Sequence, residues 1–216
     1  MTDWPGVYAE TGLFVCFEGG EGAGKSTQAR LLAEWMTARG CDVLLTHEPG
    51  GSDVGRRIRE IVLDPATGRI SDRAEALLYA ADKAEHVDSE VWPALRRGAV
   101  VVTDRYVDST LAYQGAGRDL DPAELERVAR WATGDLRPHL TVLLDLDPDA
   151  GLTRFDGRDR IEGEPSAFHD RVRRRFLDLA AADPDHYLVL DASAGVEELA
   201  AGVCARVQQL KPRGGR

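Results

Sequence analysis

The sequence predicts a doubly wound α/β fold, with a five-stranded parallel sheet and helices on both faces. Three observations predict it. Five short runs are almost continuously apolar and rich in Val and Leu, as strands covered on both faces are. Between them lie longer stretches with apolar residues at helical spacing. A glycine-rich turn joins the first run to the first helical stretch.

The strands are expected at 13–17 ("LFVCF"), 42–46 ("DVLLT"), 99–104 ("AVVVTD"), 140–146 ("LTVLLDL") and 187–192 ("YLVLDA"). The helices are expected at about 25–39, 53–63, 72–96, 122–133, 165–182 and 196–210. Residues 13–210 form a single domain on this reading, with 1–12 and 211–216 as terminal extensions; the tail "KPRGGR" has the composition of a disordered end. The stretch 154–164, "RFDGRDRIEGE", reads as a mobile loop between two helices. The stretch 109–118, "STLAYQGAGR", reads as a polar, Gly-rich loop, suited to a small ligand or serving simply as a connection.

Composition narrows the partners. The net charge is -10, from 27 Lys and Arg against 37 Asp and Glu, which disfavours a protein that grips nucleic acid by its phosphates. No apolar stretch approaches a membrane span, and residues 1–12 lack the basic start and apolar run of a secretory signal. Cys16, Cys41 and Cys204 form no metal or redox spacing and are expected to be reduced thiols in a cytoplasmic protein.

The most informative stretch is "FEGGEGAGKST" at 17–27, where Gly19, Gly24, Lys25 and Ser26 satisfy G-x-x-x-x-G-K-[ST]. Its glycines let successive backbone N–H groups point inward at phosphate oxygens, and the following helix adds its positive end. Residues Gly19, Gly20, Glu21, Gly22, Ala23, Gly24, Lys25, Ser26 and Thr27 are therefore expected to hold a nucleoside triphosphate such as ATP. Lys25 would reach the terminal phosphates, and the Ser26 hydroxyl would ligate Mg²⁺. Asp104, at the end of the third strand, suits either a Mg²⁺ ligand or a helix cap, and the adjacent Arg105 favours the functional reading.

Transfer to a phosphorylated acceptor needs further cations, because two sets of charged oxygens must be brought together. Arg105, Arg154, Arg158, Arg160 and the group Arg56, Arg57 and Arg59 can supply them, although at least two of the last group read as a solvated helix face. Arg171 and 173–175 also read as a solvated face. Tyr79, Lys83 and His86 share one helix face, where they either stack on and read a base or form a core tyrosine with a snorkelling lysine.

Taken in order, "FEGGEGAGKST", "EPGG" (48–51), "LLYAADKAEHV" (77–87), "TDRYVDSTLAYQGAGR" (103–118), "DLRPHLTVLLDL" (135–146) and "DRIEGE" (159–164) resemble the thymidylate kinase family of nucleoside monophosphate kinases, over about 13–210. The resemblance implies a P-loop NTPase-type fold with a mobile Arg-rich lid at 154–164, ATP and dTMP as substrates, Mg²⁺, and a homodimer. It implies that Glu21 lies near the acceptor sugar and transferring phosphate, that Arg105 holds the acceptor phosphate, and that Tyr79 stacks on thymine. Lys83 and Thr110 would face the base edge, Tyr113 would crowd the sugar 2′ position, and Glu162 would approach the sugar or metal. The family carries a catalytic arginine in the phosphate loop or in the lid; this loop has none, so Arg158 and Arg160 are preferred over Arg154 for that role. Lys83 stands where the family often has Arg, and His47 where it often has Arg before "EPGG".

Overall fold

The computed structural model describes residues 6–118, 120–154 and 159–210. Five strands, β1 (Leu13–Gly19), β2 (Val43–His47), β3 (Val100–Asp104), β4 (Leu140–Asp145) and β5 (Tyr187–Asp191), form one parallel sheet in the order β2-β3-β1-β4-β5. The helices are α1 (Lys25–Thr37), α2 (Asp53–Leu63), α3 (Asp72–His86), α4 (Trp92–Arg96), α5 (Val107–Thr110), α6 (Pro122–Thr133), α7 (Pro148–Leu152), α8 (Ser166–Ala182) and α9 (Val196–Gln208). The predicted class and all five strands are present, to within a residue or two at their ends.

The continuous apolar character of the strands has the expected cause. Phe14 and Cys16 of β1 pack with residues of the 87–95 stretch, Tyr106 and α6, while Val15 and Phe17 pack with Ala29 and Leu32 of α1 and Val203 of α9. Residues of the central strand β1 therefore meet helices on both faces, and burying each large side chain contributes about 1.5–3 kcal/mol, whereas the edge strands β2 and β5 leave Leu45 and Val189 exposed.

Three expectations change. The predicted long helix at 72–96 is divided by a wide π-helical turn at Val87–Val91. The stretch 109–118 is helical: α5 runs into a π-helical segment, Leu111–Gly117. Its glycines serve close packing instead of turning, since a Cβ on Gly117 would lie 2.5 Å from the Phe168 ring. Finally, the arginine face of α8 is solvated at Arg171 and Arg174 as expected but also tied down: Arg171 donates to the Ala116 and Gly117 carbonyls at 3.0 and 2.8 Å, and half-buried Arg173 pairs with Asp145.

The parallel sheet brings the carboxyl ends of β1, β2 and β3 to one edge, with Phe17 and His47 both level with Asp104. This is where an open α/β sheet binds its ligands. Residues 6–12 dock at the opposite end: Val7 bridges Leu136, and Ala9 is buried. Among the described residues, no helix is long and apolar enough to cross a membrane.

Candidate active site

The cleft at this edge has a volume of about 660 Å³, within the usual range for small-molecule sites. One wall is the phosphate loop. Gly24 caps α1 with φ 90°, a conformation a side chain disfavours, and nothing lies within 4 Å of where its Cβ would be. Lys25 is buried, and its Nζ donates to the Gly20 carbonyl at 2.7 Å, curling the side chain across the loop. Burial and the nearby Arg105 lower the Lys25 ammonium's affinity for its proton. The Ser26 hydroxyl donates to Asp104 Oδ2 at 2.5 Å, and Asp104 Oδ1 is buried without a hydrogen-bond partner among the described residues. Two hard oxygen donors side by side, one carboxylate oxygen unsatisfied, fit Mg²⁺ or one of its waters.

Arg105 forms the floor. Its Nη2 donates to Glu21 Oε1 at 2.6 Å, its Nη1 reaches the Gly19 carbonyl at 3.3 Å and the Ser109 hydroxyl at 3.1 Å, and the guanidinium lies over the Tyr113 ring. The Tyr113 hydroxyl donates to the same Glu21 oxygen at 2.7 Å. Burial works to raise the Glu21 carboxyl, but Arg105, Lys25 and Tyr113 outweigh it and hold it at about 2. Glu21 is thus a fixed anion between two cations at all ordinary pH values.

The far end is lined by Tyr79, Lys83, Thr110 and Gln114. Thr110 Oγ1 is buried without a partner among the described residues. Lys83 lies 5.8 Å from the centre of the Tyr79 ring and pairs with buried Glu48 at 3.2 Å. Glu48 is also bonded to His86 Nδ1, whose Nε2 meets the Thr46 hydroxyl. Burial would raise Glu48, yet Lys83 and His86 keep it low. His86 therefore does not face the cleft as its helical spacing allowed; it holds Glu48 beneath Lys83.

Arg59 is the member of its trio that lines the cleft, donating to the Pro49 carbonyl at 2.8 Å, whereas Arg56 pairs with Asp53 in solvent. His47 also lines the cleft; burial and Arg59 lower it, so it is neutral at pH 7 and supplies no charge.

The described parts of the 154–164 stretch, Arg154 and 159–164, meet different partners. Arg154 donates to the Gly22 carbonyl of the phosphate loop at 2.6 Å. Arg160 points away from that loop, bonding the Val62 carbonyl at 2.8 Å and buried Glu75. Arg158 lies outside the described residues. Asp159 Oδ1 accepts the Ile161 and Glu162 amides, each at 2.8 Å, which fixes a turn that places Glu162 in the cleft wall. Ser109 and Arg59 were visible in sequence only as members of polar or basic runs, and nothing in their local pattern singled them out.

Comparison with known proteins agrees with this geometry. The thymidylate kinase family model matches residues 17–203. A thymidylate kinase of Cutibacterium acnes is 58% identical over 202 residues, 94% of this chain and 99% of that protein. One of Clavibacter sepedonicus is 55% identical over 93% of this chain and 96% of that protein. The crystal structure of thymidylate kinase from Ehrlichia chaffeensis superposes with a TM-score of 0.74 at 28% identity, covering 92% of this chain and 99% of that one. With these matches spanning the phosphate loop, the Arg105 floor and the strands that carry them, the chain belongs to the thymidylate kinase family of kinase enzymes.

Proposed function

We propose that the cleft transfers the γ-phosphate of ATP to dTMP, giving ADP and dTDP. The observation that carries this reading is the placement of Arg105 and Glu21 between a phosphate loop at one end and an aromatic and hydroxyl pair, Tyr79 and Thr110, at the other. Lys25 and the loop amides hold the donor phosphates; Arg105 holds the acceptor phosphate; Tyr79 stacks on the base, with Lys83 and Thr110 at its edge. Tyr113, fixed by Glu21 and Arg105, leaves little room at the sugar 2′ position. The acceptor is already an anionic oxygen nucleophile and needs no strong base, so positioning and charge neutralisation carry the reaction by direct in-line transfer. Ser26 and Asp104 would hold Mg²⁺, which supplies charge neutralisation at the donor phosphates. Of the two described lid arginines, Arg154 is the better placed to reach the transferring phosphate, since it already meets the loop at Gly22, whereas Arg160, preferred from the resemblance, is occupied by Glu75. Glu162 approaches the sugar from the same stretch.

The test is ADP formation from ATP and Mg²⁺ with dTMP, dUMP, UMP, dCMP, AMP and GMP supplied separately, with products separated by chromatography. Preference for dTMP with dTDP as product is expected. Preference for another monophosphate would overturn the acceptor assignment, and ADP without a phosphorylated acceptor would overturn transfer itself.

We further propose a cytoplasmic homodimer. Val54 and Ile61, seven residues apart on one face of α2, are 47% and 44% exposed, and Leu77 on neighbouring α3 is 59% exposed. Apolar side chains held out on adjacent helices fit a self-complementary contact. Sedimentation should show a dimer at micromolar concentration and a monomer for Ile61→Asp; a monomeric unmodified protein would exclude the assembly.

A further inference from the structure

Arg105 has φ 73°, in the left-handed region that side chains avoid at a cost of about 1–3 kcal/mol. Such a conformation persists only where the surroundings enforce it. Part of the enforcement is visible in the backbone: the Arg105 amide donates to the Phe17 carbonyl at 2.9 Å, and its carbonyl accepts from the Thr103 hydroxyl at 3.0 Å.

The rest comes from Glu18, which is completely buried and lies behind the cleft, absent from its lining. Glu18 Oε1 accepts the Tyr106 amide at 2.8 Å and the Ser109 amide at 3.1 Å. Its Oε2 accepts the Ser109 hydroxyl proton at 2.6 Å. That hydroxyl, its proton committed to Glu18, presents its lone pair to Arg105 Nη1 at 3.1 Å. One carboxylate therefore ties down the turn between β3 and α5 and, through Ser109, aims the guanidinium.

We propose that Glu18 is a positioning residue for the acceptor, holding Arg105 through Ser109 and the Tyr106 and Ser109 amides in the orientation that meets the acceptor phosphate. This rests on the reading of Arg105 given above. Glu18 touches no substrate.

Packing alone is a poor reason for this side chain. Burial, then the neighbouring Asp108 carboxylate, pushes Glu18 up to about 7, with the Ser109 hydroxyl, Arg105 and the Tyr106 amide pulling the other way. Asp108 is itself buried and accepts the Tyr187 hydroxyl at 2.6 Å. An apolar residue of similar size would avoid that desolvation cost, but it would leave two amides and a hydroxyl unsatisfied and Arg105 without its guide.

The experiment uses the full chain with Ser109→Ala, Glu18→Gln and the double variant. ADP formation is followed while dTMP and ATP are varied in turn, with dTMP binding by calorimetry and Tm recorded. Ser109→Ala is expected to raise the KM for dTMP about tenfold and leave that for ATP within about twofold. Glu18→Gln keeps an oxygen for the amides but cannot take the Ser109 proton, so it moves the same constant in the same direction. The double variant should be no worse than the more affected single one, because both interrupt one path. Multiplying effects, equal losses for dTMP and ATP, or an unchanged KM for dTMP would each overturn the proposal. If Glu18→Gln fails to fold, the dTMP and ATP constants of Ser109→Ala still decide. An unmodified protein that makes no dTDP would remove the acceptor reading instead, whereas one that makes dTDP beside unaltered variants would remove only the role of Glu18.

Discussion

Arg105→Ala is expected to raise the KM for dTMP by about two orders of magnitude while calorimetry shows ATP binding within a few-fold of the unmodified protein. Two losses add. The acceptor phosphate loses the cation at the floor of the cleft, and Glu21, only 15% exposed, loses its closest positive partner and faces the phosphate as a bare anion. Removing one member of a buried pair costs about 3–5 kcal/mol where desolvation is complete, and less here because both groups are partly exposed. The pH dependence of stability follows in sign. Glu21 sits below its ordinary 4.5, so what Arg105 contributes through it is present above 4.5 and is lost as pH falls towards about 2. The stability deficit of the variant should therefore be largest at neutral pH and shrink through that window. Because alanine inherits the strain of φ 73°, Arg105→Gly is the control that separates backbone conformation from charge. Unchanged dTMP kinetics in both variants would take Arg105 out of the site.

Lys25→Met should lower kcat by about a thousandfold or more, since the terminal phosphates lose a cation held in a water-poor site. Lys25 is 6% exposed, and its hydrogen bond to the Gly20 carbonyl gives it no counter-charge; Glu21 supplies that at longer range. Methionine fills nearly the same volume without a desolvated charge, so the Tm of the variant should match or exceed that of the unmodified protein. ADP release and thermal melting together check this. Activity within about tenfold of the original would show that the loop amides alone suffice.

Some of this architecture was legible because its physics is local. The phosphate loop needs glycines at fixed offsets between a strand and a helix, and all of that lies within 13–37. The strands were readable because helices cover both their faces, which forces continuous apolar runs such as Val100–Val102. The resemblance to a kinase family, drawn from separated motifs, supplied the roles that periodicity could not.

What escaped the sequence depends on distant partners. The glycines at 115 and 117 signal a loop by composition, yet Gly117 is small because Phe168, more than fifty residues on, packs against it. Spacing left open whether His86 shared a base-reading face or a core face, and Glu48 and Thr46, distant in sequence, claim both of its nitrogens. Glu18 belongs to the same short motif as the phosphate loop, and only the fold shows that Ser109 and Tyr106 are what it serves. On the strength of the resemblance Arg160 is preferred to Arg154 as the lid cation; Glu75, far back in the chain, pairs with it instead.

The two described ends of the 154–164 stretch are fastened to different elements. Near one end, the backbones of Gly22 and Gly151 touch so closely that a Cβ on Gly22 would lie 2.4 Å from the Gly151 carbonyl oxygen, and Arg154 bonds the same loop. At the other end, Glu75 takes Arg160, while Arg118 bridges Glu75 to Glu164. Glu75 is thus a shared bollard: α3, the end of the 111–117 segment and the 159–164 turn are lashed to one carboxylate, so a change at any of the three is felt by the other two.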